Sequence, residues 1–462
     1  MTGRHDARYY LPRFTRLEDR VAARATGKLR DYSRQSAGGA TPKAEEKEKY
    51  YSDDPETGIP FIRVQNLSVS GALSLDDVKL INRETHNGML ARSHVGPDDL
   101  LTKITGVGRM AVSSVPPPGF EGNINQHLVR IKTKDRHTSE VLAAYLNTDI
   151  AEQLATRRAT GGTRPALDYP ALRSIPIIFD ERILPIASAA RDRRKQRLEE
   201  ASALLASIDD YLLSELGIVL PPETENTLAN RTFRVSAHEL GGWRFDPLFH
   251  AFKMWHAIEN SGIPSARLGT ICASVKTGFA AGGNDQADGN DGIIQIRPTN
   301  IDSDRRLKFD RNIYIAADLA TRRPREILKP GEVLFNNTNS QALVGKTTFF
   351  DLTDQLYACS NHITRLTLNR DKALPEYLTA ILNLYQRRKA FFSICTNWNN
   401  QSGVGADLLR KIVVPVPDMD VQQAIVEEVR AIFGKAENLR ATATAELETA
   451  KREIEAILLD SP

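Results

Sequence analysis

The sequence predicts a duplicated α/β protein: two mixed α+β domains, each followed by one long helix, with the two helices forming an antiparallel coiled coil. Three observations carry this. Apolar residues Ala187, Ala190, Leu198, Ala201, Leu205, Ile208 and Leu212 fall mostly in three-four steps, the narrow seam of a coiled coil rather than the broad face of a globular helix. A second such stripe holds Ile425, Val429, Ile432, Ala436, Leu439, Ala443, Leu447, Ala450, Ile454 and Ile457. Six short segments before the first stripe also return, in the same order and about 235 residues later, before the second. At about 1.5 Å per residue each helix is roughly 50–60 Å long. So narrow a stripe on so long a helix needs another helix, and its copy is the natural partner.

In chain order, an amphipathic helix over residues 11–25 opens the first domain. A polar loop over 33–51 follows, then apolar strands at 59–67, 100–104 and 124–131, a helix over 139–155 and a closing strand at 172–178. The first long helix runs without glycine or proline from Ile186 to Leu216, and Gly217 with Pro221 and Pro222 stops it. The second domain then repeats the first. Ile296-Arg297-Pro298-Thr299-Asn300-Ile301 answers Ile62-Arg63-Val64-Gln65-Asn66-Leu67, and Val344-Gly345-Lys346 answers Val107-Gly108-Arg109. Asn361 to Leu366 answers Gln126 to Ile131, and Leu409-Arg410-Lys411-Ile412 answers Leu172-Arg173-Ser174-Ile175. The resulting division is a first domain over 1–180, a central helix over 181–217, a linker over 218–230, a second domain over 231–418 and a terminal helix over 419–462.

Composition fits a cytoplasmic protein of more than one domain: 462 residues, 41% hydrophobic and 26% charged, enough for two cores. No apolar run is long enough to span a membrane, and residues 1–6 lack the apolar region of a signal peptide. Cys272, Cys359 and Cys395 are too few and scattered for a disulfide framework or a zinc site. Of the net charge of +3, residues 181–216 hold −1 and 420–460 hold −4, which leaves +8 on the remainder. Mildly basic domains on acidic helices suit a DNA-facing surface, and solvated surface charge accounts for the same numbers.

The Gly38-Gly39-Ala40-Thr41-Pro42-Lys43 loop, the strand at 62–67 with Gly71 after it, the Asn125-Gln126-His127 step and the Gly161-Gly162-Thr163-Arg164 loop are joined by Pro415-Val416-Pro417 running into Gln422-Gln423-Ala424-Ile425. In this order, and with a helix after each copy, they make the chain resemble the DNA-specificity subunit of type I restriction-modification systems over nearly its whole length. Two departures stand out. Phe179-Asp180-Glu181-Arg182-Ile183 lacks the glutamines seen at 422–423, and an alanine separates the glycines from Thr41. The resemblance implies two target-recognition domains, each reading one half of a split, asymmetric site in double-stranded DNA, with the paired helices setting the spacing. It also implies two methyltransferase subunits and a restriction (translocase-nuclease) subunit as partners. The alternative is a duplicated protein-binding scaffold with little or no DNA readout of its own.

No catalytic, cofactor or metal site emerges from the motifs. Gly106-Val107-Gly108-Arg109-Met110-Ala111 matches a dinucleotide pattern after a strand, but Pro116-Pro117-Pro118 follows instead of a helix, so no helix N-terminus meets a pyrophosphate. The Asp- and Gly-rich stretch 282–292 lacks the closing glutamate of a calcium loop. Neither a Walker motif nor the Asn-Pro-Pro-aromatic tetrad of amino-methyltransferases is present. His86, His94, His127 and His362 show no ligand spacing.

Reading DNA needs Arg, Lys, Asn and Gln at base edges, and Lys, Arg, Ser, Thr or backbone amides at phosphates. The first domain offers Arg63, Gln65, Asn66, Lys103, Arg109, Thr160, Thr163 and Arg164. The second offers Arg297, Asn300, Asn336, Asn337, Asn339, Gln341, Lys346, Asn397, Asn399, Asn400 and Gln401. The amide clusters at 336–341 and 397–401 are the densest. Turn chemistry explains the same residues, because Asn tolerates left-handed backbone.

Overall fold

The computed structural model describes residues 7–222, 227–237, 245–252, 254–287, 291–399 and 401–459. Asn400, parts of the 218–230 linker and of the 282–292 loop, and the extreme termini lie outside them. Residues 1–200 and 438–462 pack as one compact unit and residues 201–437 as another, so each long helix contributes a part to both.

The first unit is built on a four-stranded antiparallel sheet ordered Gln35–Gly38, Leu128–Lys132, Leu100–Lys103, Ser113–Ser114. Side chains alternate across a strand, and the sheet uses both faces. Leu100, Val129 and Ile131 join a core with Leu142 and Leu146 of the helix Arg136–Leu146 and with Ile183, Ile454 and Leu458 of the long helices. Leu101 and Leu128 point the other way, onto Ile62, Val95 and Ile124 of a five-stranded mixed sheet. That near-total burial explains why these strands read as continuous apolar runs.

The second unit repeats the plan. Its sheet is ordered Cys272–Thr277, Ile363–Leu368, Glu332–Asn336, Thr347–Phe350. Val333, Phe335 and Leu366 face Ile208, Leu212, Ile425 and Ile432 of the long helices, while Leu334, Phe350 and Ile363 face Ile294, Ile296 and Tyr357 of a second sheet. The duplication therefore extends to sheet order and to which face each side chain takes.

The long helices are Ile183–Glu215 and Met419–Leu459. In the first unit Ile183 shares a core with Ile454 and Leu458, and Arg197 grips Glu446 through two bonds of 3.1 and 2.7 Å. Rising numbers on one helix meet falling numbers on the other, so they pair antiparallel. Burial is concentrated at Ile183, Ala190, Ala201, Ile208, Leu212 and Leu216, and at Ile425, Ile432, Ala436, Ala443, Ala450, Ile454 and Leu458. Ala187, Leu198, Leu205, Leu439 and Leu447 are half-buried at its rim. Gly217 ends the first helix at φ +56°, with the Ile218 N–H donating to the Leu213 carbonyl at 2.9 Å, the left-handed stop that glycine favours.

Gln422 explains one departure between the copies. The helix Pro375–Arg387 has Leu374 at its N-cap and no side-chain cap. The buried Gln422 supplies one instead, accepting from the Leu374 N–H at 3.0 Å and donating to the Lys372 and Pro417 carbonyls. In the first unit Asp135 caps its own helix through the Thr138 N–H at 2.8 Å, so no glutamine is needed. Among the described residues, no helix is long and apolar enough to cross a membrane, and no group of His, Cys, Asp and Glu could hold a metal ion.

Candidate nucleic-acid interface

In each unit one end of the main sheet carries a pair of loops laid side by side. In the first unit, the strand Leu100–Lys103 runs into Thr105, which pairs with Ala166, and Ala166 pairs in turn with Thr160. In the second unit, Glu332–Asn336 runs into Thr338–Asn339, which pairs with Gln401–Gly403, and that strand pairs with Thr396–Trp398. Thr338 faces Gly403 as Thr105 faces Ala166, so the two arrangements are copies. What they display differs. The 160–166 loop exposes Thr160, Thr163 and Arg164 around Gly161 and Gly162, whereas the 396–403 hairpin exposes Asn397, Trp398, Asn399 and Gln401.

The expected readers divide by burial. Asn66 and Asn300 are 2% and 1% exposed and close identical turns. Asn66 accepts from the Arg63 N–H at 2.9 Å and donates to the Ser74 carbonyl at 3.0 Å, while Asn300 accepts from Arg297 and donates to Lys308, each at 3.0 Å. Lys103 is buried and donates to the Val107 carbonyl at 2.7 Å, and that burial pulls its pKa down. Arg109 lies across a helix start, bound to Asp149 at 2.6 Å and to the Asn147 and Thr148 carbonyls. Burial opposes ionisation of Asp149, but the bonds from Arg109 and Lys451 hold its carboxyl below its ordinary value.

Asn336 is fully buried and its backbone N–H donates to the Lys346 carbonyl at 2.8 Å. Asn337 donates to Thr364 Oγ1 at 2.9 Å and to the Asn361 carbonyl at 3.2 Å, and accepts from Thr338 Oγ1 at 2.7 Å. For Asn66, Asn300, Asn337 and Lys103, then, the polar atoms serve the fold, since a strand end or turn buried in the sheet must satisfy its polar groups internally. Arg109 spends its terminal nitrogens in the same way, while the buried Oδ1 of Asn336 has no hydrogen-bond partner among the described residues. The others are more open. Arg63 and Gln65 bond the Asp77 carbonyl and carboxylate, each at 3.1 Å. Arg297 holds Gln295 at 3.1 Å, Asn339 accepts from the Ser340 N–H at 2.8 Å, and Gln341 donates to the Phe392 carbonyl at 3.2 Å.

Lys346 is half-buried with no carboxylate in ion-pair range among the described residues, and burial followed by the nearby Arg305 lowers its pKa. Asn397 accepts from Ser402 Oγ across the hairpin at 2.6 Å. His127 and His362 take equivalent half-buried places, their carbonyls receiving the Ile104 and Asn337 N–H groups at 3.0 Å. His86 and His94 stack at 3.8 Å elsewhere in the first unit. Counting polar residue types passes over Trp398, which only the hairpin register exposes.

No protein-family model matches the chain. Over 118 residues it is 25% identical to the protein named "Putative type I restriction enzyme MjaX specificity subunit" of Methanocaldococcus jannaschii, an alignment that covers 26% of this chain and 27% of that protein. The chain thus spans about a quarter of the length of the curated relative it matches. Among solved structures, one from a study of complex assembly and conformational transition of the type I R-M system aligns over 94% of this chain and 97% of its own, at 15% identity and a TM-score of 0.47. The type I S subunit from M. genitalium aligns over 94% and 96%, at 12% identity and 0.37. The HsdS subunit from Thermoanaerobacter tengcongensis aligns over 93% and 94%, at 15% and 0.32. Over the 118 residues of the MjaX alignment the chain is thus similar to a protein whose name is that of a type I restriction enzyme specificity subunit.

Proposed function

We propose that this chain is the DNA-reading, non-catalytic specificity subunit of a cytoplasmic type I restriction-modification complex. One observation carries the reading: two copies of one scaffold, matching in sheet order and even in buried turn asparagines, present chemically different side chains from the same pair of loops. Two readers of unlike half-sites need that combination, a constant frame and a variable edge. The recognition domains are taken as 1–180 and 231–418.

Within them the exposed residues Thr160, Thr163 and Arg164 in the first domain and Asn397, Asn399 and Gln401 in the second are the base and phosphate contacts, joined by the half-buried Asn339 and Gln341. Arg63, Gln65 and Arg297 would need to exchange a protein partner for DNA. Lys346, with no carboxylate in ion-pair range among the described residues, fits a phosphate. Two methyltransferase subunits would use the geometry that the paired helices impose, and a restriction subunit would join them.

The test is adenine-methylation mapping of cells with and without the gene. A split, asymmetric motif that disappears with the gene is expected. An unchanged methylome, with no duplex binding by the chain and its methyltransferase partners, would favour the protein-binding scaffold.

A further inference from the structure

The hairpin tip of the second unit carries a group that amide readout does not use. Trp398 is 46% exposed, between exposed Asn397 and Asn399. It is not a loose side chain. Trp398 pairs with Gln401 in register, and Ser402 Oγ donates across the hairpin to Asn397 at 2.6 Å. The partner strand is fixed to the main sheet through Thr338 and Gly403, and the Val404 N–H donates to the Asn337 carbonyl at 2.9 Å. One rim of the indole lies over Gly403, where an added Cβ would collide with ring atom Cη2. The equivalent position in the first unit is Ala166, and the loop facing it has Gly161 and Gly162 in place of a ring. The scaffold folds without this aromatic, and where the aromatic is present the strand beneath it has lost its side chain to seat it.

Leaving an indole half in water forfeits the burial that an aromatic ring ordinarily gains. A planar, partly hydrated ring on a rigid hairpin, flanked by amides, is matched by the face of a nucleobase, which stacks on aromatics whatever its identity. Resting on the DNA-reading function proposed above, we propose that Trp398 stacks its open face on a base of the second half-site. The base face is reached either by wedging between adjacent pairs or by taking up a base that has left the stack. The facing loop of the first unit, residues 160–166, carries no aromatic side chain, so the contact is confined to one half of the site.

The experiment uses the full chain with its methyltransferase subunits. The probe is a 40-base-pair duplex bearing the mapped site, end-labelled for energy transfer and carrying 2-aminopurine at successive positions of the second half. Trp398→Ala is expected to weaken binding by roughly ten- to a hundredfold, the range of one lost base stack, with its melting temperature unchanged. Trp398→Phe should restore most of the affinity and remove the indole quenching that duplex addition causes. A bend present with wild type and lost in Trp398→Ala identifies a wedge, and 2-aminopurine brightening lost in that variant identifies an unstacked base. Equal affinity of wild type and Trp398→Ala overturns the stacking while the DNA-reading function stands, as does weaker binding with neither optical signal. A wild-type complex that binds no duplex overturns both.

Discussion

Asn383 holds the backbone of Thr347 with both ends of its amide, Oδ1 accepting from the N–H at 3.0 Å and Nδ2 donating to the carbonyl at 2.8 Å. Asn147 does the same to Ser113 at the same two distances. Each clasp fastens a helix to an edge strand, Asn383 from within the helix Pro375–Arg387 and Asn147 from the C-cap of Arg136–Leu146, and the two asparagines are 5% and 6% exposed. Removing the amide strands a backbone donor and an acceptor in the interior, at about 1–3 kcal/mol for each. Asn383→Ala should therefore lower the urea midpoint of the second unit's transition and leave that of the first in place. Asn147→Ala should do the reverse. A single transition shifted equally by either variant would show that the units unfold together.

Glu18 lies within ion-pair range of both Arg157 and Arg158, whose side chains are 9% and 7% exposed. Burial raises the Glu18 pKa, but bonds and charge from Arg158 and then Arg157 outweigh it and leave the carboxyl below its ordinary value. A depressed carboxyl contributes stability that is present above its unfolded pKa and is lost as pH falls through the folded value. Glu18→Gln should destabilise the first unit by about 3–5 kcal/mol at neutral pH, because it breaks the ion pairs that Glu18 makes with two largely buried guanidiniums. The deficit should shrink progressively below the ordinary glutamate range. Unfolding curves of both proteins between neutral and acidic pH decide it, and a deficit independent of pH would assign the effect to packing.

The helix pairing makes a distance prediction. Ala187 and Ile457 pack against the same core of the first unit. Spin labels at these two positions should report a short separation, and a value near a full helix length would exclude intramolecular antiparallel pairing. Ala190 and Ala443 are 0% and 1% exposed, leaving no room for larger side chains. Ala443→Leu should cost about 1–3 kcal/mol by overpacking. Leu205→Asp, at a half-buried seam position, should also destabilise, because a charge there loses part of its hydration.

The duplicated plan was legible in the sequence because it rests on apolar spacing. Val129 and Ile131 face one core while Leu128 faces another, and the equivalent Leu366 and Ile363 diverge in the same way. The division of amides was not legible. Asn336 and Asn399 look alike on paper, yet one is fully buried at a strand end and the other stands exposed at φ +39° on a hairpin. Arg109 stood among the candidate DNA contacts because its anchor, Asp149, lies forty residues away in sequence. Propensity carries no information about such tertiary partners. The glutamine at 422 was visible as a family motif, but its work as a cap for a helix of another segment required the fold.

Burial now separates variants that sequence alone would group. Asn337 spends its amide on Thr364 and the Asn361 carbonyl inside the second unit, so Asn337→Ala should lower stability and reduce affinity for every duplex alike. Gln401 is exposed and pairs with Trp398 across the hairpin, and the next two residues of its strand, Ser402 and Gly403, also pair with Asn339 and Thr338, which fixes its backbone. Fixed geometry is what bidentate contact to adenine requires. Gln401→Ala should therefore reduce discrimination at the second half-site by about 1–3 kcal/mol without lowering the melting temperature. Arg164→Ala tests the first half-site in the same way. Lys346→Ala removes a half-buried cation that has no carboxylate in ion-pair range among the described residues. It should weaken binding to target and scrambled duplexes equally and reduce the salt slope by about one unit. Affinities of the assembled methyltransferase complex for both duplexes, taken across salt concentration, separate the three behaviours. Equal losses on target and scrambled DNA for Gln401→Ala would place the hairpin amides among the phosphate contacts and move base reading to other loops.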